Sequence, residues 1–157
     1  MIDIDDDTAA YIIEHRKHFE DLRQVAAQLA GLLVLAASEA RSATPDHPML
    51  DMAEELFGEA VDGVRHARPT ARAQRHHDHL LRAATSLGMA LSEARERFAR
   101  PASAAGAIEA VLSPLSSGYV HLQDAAAALP GFELVAFGQG CCGNHMKRSG
   151  VGDAARP

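Results

Sequence analysis

Tryptophan is absent from this sequence, and aromatic residues make up only 4% of its 157 positions. Cysteine occurs twice, at the neighbouring positions Cys141 and Cys142, which excludes a disulfide-rich scaffold. No apolar run reaches the roughly 18 residues that a transmembrane helix requires. A basic excess is also lacking, since 15 lysines and arginines stand against 21 acidic residues, for a net charge of −6. The chain therefore lacks the general features of a nucleic-acid or anionic-membrane binder.

Short catalytic and nucleotide-binding motifs are missing as well. The sequence contains no GxxxxGK(S/T) phosphate loop, no GxGxxG after a strand, no HExxH and no GxSxG. The acidic first residues are unlike a signal or transit peptide, so we expect a cytoplasmic protein whose cysteines remain thiols. The length predicts one domain, which we place at residues 1–146.

The sequence does contain a heptad pattern in four stretches. These predict helices over about 8–41, 48–67, 70–99 and 103–129. In the first stretch, seam residues recur at alternating spacings of four and three, from Thr8 through Phe19 to Ala36. Four such seams joined by short breaks predict an all-α, antiparallel up-down-up-down four-helix bundle.

The fourth stretch contains Pro114, which leaves two alternatives open. Either Pro114 starts a new helix after Ser113, or one helix continues with a kink. The apolar seam runs in phase across the proline and favours nearly collinear halves; its members are Ile108, Leu112, Leu115, Tyr119, Leu122, Ala126 and Leu129. We expect the irregular segment after this helix to fold over one end of the bundle, and residues 147–157 to be disordered.

Nine histidines are many for a chain of this length, and most fall near helix ends that an up-down bundle brings together. His15 and His77 lie on the seams and are predicted to point inward, while His18 flanks the first seam. The remaining histidines of that end lie off the seams and are predicted to face solvent: His66, His76, His79 and His121.

The sequence leaves the register of His15 and His77 open. If the helix ends align, each histidine lies about 10 Å into its helix, and the two share a layer. If the helices are instead aligned from the short turn after Ser42, the start of the long first helix extends beyond the other helices. The two histidines then lie on the order of 20 Å apart.

A second set of candidate ligands lies in the glycine-rich tail. Cys141, Cys142 and His145 offer two thiols and an imidazole, which suit zinc or copper. One alternative is that both thiols are small buried groups that pack the tail against the bundle, and another is a redox-sensing pair of thiols.

These patterns favour a bundle that binds a metal ion or haem for sensing, storage or redox binding. The predicted metal ligands are His15, His77, His18, His121, Cys141, Cys142 and His145. Zinc, copper, iron or haem would fit them. The alternative is a non-catalytic helical interaction module without a ligand. In either case, alanine-rich seams limit the buried area, so we expect a homodimer.

Overall fold

Four helices make up nearly all of the chain that the structure describes. The structure is a computed structural model, and it describes residues 4–38, 48–99 and 104–134. The helices are α1 (Asp6–Ala37), α2 (Pro48–His66), α3 (Gln74–Phe98) and α4 (Ala104–Ala128), and these ranges contain no strand. The helices pack on one another as a bundle, which confirms the predicted all-α class.

Contacts between helix ends define the antiparallel order. The hydroxyl groups of Thr8, in the first turn of α1, and Thr70, just before α3, are 2.9 Å apart. At the opposite end, Arg95 of α3 donates to Glu54 near the start of α2, at 2.7 Å. Chain direction therefore alternates from helix to helix, and α1 also contacts α3 across the bundle.

Helix α1 begins two residues before its predicted start because Asp5 caps it. The Asp5 carboxylate accepts a hydrogen bond from the Thr8 amide at 2.8 Å, and this bond holds the Asp5 pKa below its usual value. All nine predicted seam positions of α1 are buried, from Thr8 through Phe19 to Ala36. The predicted end at residue 41 lies outside the described residues.

Helix α3 begins four residues later than predicted. Residues 71–73 form a turn, and the Thr70 hydroxyl accepts a hydrogen bond from the Ala73 amide at 3.3 Å. The Ala73 amide also donates to the Thr70 carbonyl oxygen at 3.0 Å, so a tight turn replaces the first predicted turn of the α-helix. Helix α2 ends at His66, one residue before its predicted end.

Helix α4 continues across Pro114, so the single-helix alternative holds. Its buried face differs from the predicted seam, because Leu112 is exposed while Val111 and Gly118 are buried. A Cβ atom at Gly118 would lie 2.9 Å from the Leu87 side chain of α3. The missing side chain therefore allows α3 and α4 to approach closely, and this shifted seam decides which side chains of α4 face α3.

After α4 the chain turns back over the bundle, as predicted for the start of the tail. Gly131 has a φ of 100°, which favours glycine, and Arg16 donates to its carbonyl oxygen at 3.1 Å. Phe132 is buried, with its ring centroid 5.3 Å from that of Phe19. The rest of the predicted tail lies outside the described residues. Within the described ranges, no helix combines the length and the apolarity needed to cross a bilayer.

Candidate metal centre

Six histidines gather at one end of the bundle, which we call the histidine end. It is formed by the start of α1, the start of α3 and the end of α4, and its members are His15, His18, His76, His77, His79 and His121. His66, in the last turn of α2, is exposed as predicted, and its Nδ1 lies 2.7 Å from the Asp62 carbonyl oxygen.

Two helices bring His79, His121 and Asp124 together at this end. Helix α3 carries His79, and α4 carries His121 and Asp124 three residues apart on the same helix face. One ligand atom of each residue lies within 4.8 Å of the other two, and among the described residues this is the one such group. The ring centroids of His79 and His121 are 6.0 Å apart.

The spacing within this group suits a shared ion better than a hydrogen bond. His79 Nδ1 and Asp124 Oδ2 are 3.7 Å apart, which is beyond hydrogen-bonding distance. Two ligand atoms on a tetrahedral zinc ion, each about 2.1 Å from the metal, lie about 3.4 Å apart. Nδ1 of His79 and Nδ1 of His121 are both buried without a hydrogen-bond partner. These nitrogens are therefore free to bind an ion after side-chain shifts of about 1 Å.

The group lies at the edge of the bundle rather than in its core. The His79 side chain is 14% exposed, and the Asp124 side chain is 50% exposed. A groove of about 270 Å³ runs beside His121 and is bordered by Leu81 and Thr85. Water can therefore reach a bound ion and occupy a position that the three side chains leave open.

His76 is fully buried, so its predicted solvent-facing position is wrong. Its Nδ1 donates to the Ala125 carbonyl oxygen at 2.9 Å, and its ring lies 3.9 Å from the Phe132 ring, centroid to centroid. Nε2 is buried without a partner. Burial lowers the His76 pKa to about 4, because the charged ring would lose its hydration. His76 is thus neutral near pH 7 and ties α3 to α4 beside the candidate metal centre.

His15 and His77 are both buried, in agreement with the inward direction predicted from their seams. The contact between Thr8 and Thr70 aligns the starts of α1 and α3, as in the first of the two registers. Burial lowers the pKa of both histidines, and for His15 repulsion by His18 and His77 adds to this effect, against the opposing charge of Glu14. Nδ1 of each ring has no hydrogen-bond partner.

His18 is half-buried and lies between α1 and α2, against Gly63. Its ring centroid is 5.7 Å from that of His15. His15, His18 and His77 do not form a set of three ligand atoms within 4.8 Å as their side chains stand. Their role as metal ligands stays a prediction.

Of the predicted ligands, His121 is the one that belongs to the His79–His121–Asp124 group. His79 and His121 are partly buried rather than solvent-facing, because the shifted seam of α4 turns His121 towards α3. Asp124 was not predicted, although its spacing of three residues from His121 is a recognisable helical pair. Cys141, Cys142 and His145 lie outside the described residues.

The chain matches no family model, no curated protein and no solved structure in the comparisons. The fold and the site together define the protein as a small four-helix bundle with a candidate His/Asp metal centre between α3 and α4.

Proposed function

We propose that this protein binds a divalent transition-metal ion at His79, His121 and Asp124. The observation that carries the proposal is the convergence of three ligand atoms from two helices within 4.8 Å. The unpaired and buried Nδ1 atoms of both histidines support it, because native proteins pair most of their buried polar groups.

Zinc is the ion that this ligand set fits best. Two imidazoles and one carboxylate form a three-ligand site with a further position for water, as in zinc sites that exchange a ligand. Iron(II) and copper(II) accept the same ligand types, whereas copper(I) prefers thiolates, which this group lacks. Haem is less suitable, because a carboxylate beside two imidazoles on one side of an ion does not match the axial ligation of haem iron.

The exposed edge of the site favours reversible binding over permanent structural binding. Structural zinc sites are closed by four protein ligands, whereas this one has three, with a half-exposed carboxylate. We therefore propose metal storage or sensing as the role, with the ion entering from the groove beside His121.

A zinc titration with single-histidine variants tests this function. We expect His79→Ala to weaken zinc binding at this site by at least about 10-fold to 100-fold, because loss of a ligand should cost no less than loss of the groups that orient it. Isothermal titration calorimetry would show this change as the loss of one binding step. Cys141→Ser and Cys142→Ser should be present in all samples, so that the thiols contribute no binding.

His66→Ala is the matched control, since His66 is exposed on α2 and lies outside the group. It should bind zinc like the parent protein. Circular dichroism would establish that each variant keeps its helices. Unchanged zinc affinity and stoichiometry in both His79→Ala and His121→Ala would overturn the proposed function.

The alternative function, a helical interaction module, also has one supporting feature. An apolar groove of about 610 Å³ runs between α1 and α4, and it is bordered by the half-exposed Leu112 and Val120. The residues that line the groove do not identify a binding partner, so the interaction module and the homodimer stay predictions.

A further inference from the structure

We propose a second transition-metal site at the histidine end, formed by His15 and His18 of α1 and His77 of α3. It faces a different part of the bundle from the first site. His77 and His79 are two residues apart on α3, so their side chains point about 200° apart around the helix axis. His79 is turned towards α4, where Asp124 lies, and His77 is therefore turned away from α4.

The spacing of His15 and His18 fits two imidazoles on one ion. An ion about 2.1 Å from a ring nitrogen lies about 3.2 Å from the ring centroid, so two bound rings have centroids about 5–6 Å apart. The observed separation is 5.7 Å. Because these residues are three positions apart on α1, the helix holds both rings on one side.

His77 is the third ligand because it is buried at the level of His15. The two histidines each lie seven residues after a threonine, Thr8 on α1 and Thr70 before α3, and the hydroxyl groups of these threonines are 2.9 Å apart. A charge on His77 lowers the pKa of His15, as a charge on His18 also does. The rings must turn to bring three nitrogens onto one ion, since the nitrogens are too far apart in their present positions.

Turning the rings disrupts no hydrogen bond at the nitrogens concerned. Nδ1 of His15, His18 and His77 is buried without a partner, and the first and third of these residues are more than nine-tenths buried. Three unpaired buried nitrogens at one end of a bundle are unusual in a native protein. A bound ion would give all three a partner.

Gly63 of α2 supplies the space that His18 needs. A Cβ atom at position 63 would overlap the His18 ring, so any larger residue would push this ring away from His15. The absent side chain thus keeps His18 beside the other two histidines. The resulting set of three neutral imidazoles suits zinc, with a fourth position left for water.

Zinc stoichiometry tests the second site separately from the first. The full chain carrying Cys141→Ser and Cys142→Ser would be dialysed against zinc at pH 7.5 and its metal content measured. We expect two ions per chain in this parent, one in His79→Ala and one in His15→Ala/His77→Ala. His66→Ala should retain two.

The outcomes separate the two sites. One ion in the parent, lost in His79→Ala, would overturn the second site and leave the proposed function intact. One ion that is lost in His15→Ala/His77→Ala and kept in His79→Ala would support the second site and contradict the first. If the double variant fails to fold, His18→Ala removes a less buried ring and should still lower the content from two ions to one. Two ions in a folded His18→Ala variant would overturn the second site.

Discussion

Replacement of Phe19 by alanine is expected to lower the free energy of unfolding by about 3–5 kcal/mol. Phe19 is completely buried in the middle of the α1 seam. Its ring packs against Phe132, and the centroid of the His76 ring lies 6.2 Å away. Removal would leave a cavity under the segment that closes the histidine end. Urea denaturation followed by circular dichroism, with a chelator present, would measure the loss.

Ile13→Ala is the control for this prediction, because Ile13 lies on the same helix and is 79% exposed. Its free energy of unfolding should stay within about 0.5 kcal/mol of the parent value. Equal losses in the two variants would contradict the assignment of the α1 seam.

Acidification is expected to destabilise the protein through His76. The His76 pKa falls from 6.5 to about 4 on folding, mainly because the ring is buried. Between these two pH values the unfolded chain binds one more proton than the folded chain, so the free energy of unfolding falls as the pH falls. The contribution of His76 to the free energy of unfolding is constant above the pKa of the unfolded chain. It decreases by about 3 kcal/mol between that pKa and pH 4.

The groups around His76 act in the same direction. His77, His15 and His79 repel a proton on His76, and only the hydrogen bond to the Ala125 carbonyl oxygen favours the charged form. The pKa values of His15 and His77 are also lowered, so both add to the acid-induced loss. From the α1 side, Tyr11 stays protonated over this range, because burial raises its pKa.

Urea denaturation at several pH values without metal would measure this dependence. His76→Phe removes the titrating group and should give a shallower decrease of the unfolding free energy between pH 6.5 and pH 4. His66→Ala should retain the parent slope, since His66 is exposed. A parent protein that is equally stable at pH 6.5 and pH 4 would contradict the neutral, buried state of His76.

The heptad pattern was sufficient to predict the bundle and the inward direction of His15 and His77. It works for α1 because each seam residue from Thr8 to Ala36 is buried, although Tyr11, Val25 and Leu32 form a second buried stripe beside the seam. Helix boundaries were harder to predict, because local hydrogen bonds decide them. The Asp5 carboxylate caps α1 two residues before its predicted start, and the backbone turn from Thr70 to Ala73 delays α3.

The pattern missed residues that lie on a second contact face of a helix. Helix α3 buries His76, Ala83 and Ala90 at intervals of seven residues, one position before the predicted seam that contains His77. His76 on this second stripe bonds to α4, and a single-seam model leaves such residues in solvent. The sequence signal was the small size of Ala83 and Ala90, which permits close packing.

The candidate metal centre was only partly predictable for a related reason. Apolar side chains suggested a seam through Leu112, but α4 uses Gly118, whose contribution to packing is its lack of a side chain. That shift sets the direction of His121 and of Asp124. A hydrophobic pattern cannot show it, because glycine carries no apolar signal.

Anomalous scattering from a zinc-loaded crystal, measured at the zinc absorption edge, tests the central claim most directly. We expect a peak between α3 and α4, about 2.0–2.2 Å from one ring nitrogen of His79, one of His121 and a carboxylate oxygen of Asp124. A zinc-loaded crystal without a peak between these three side chains would contradict the proposed metal centre.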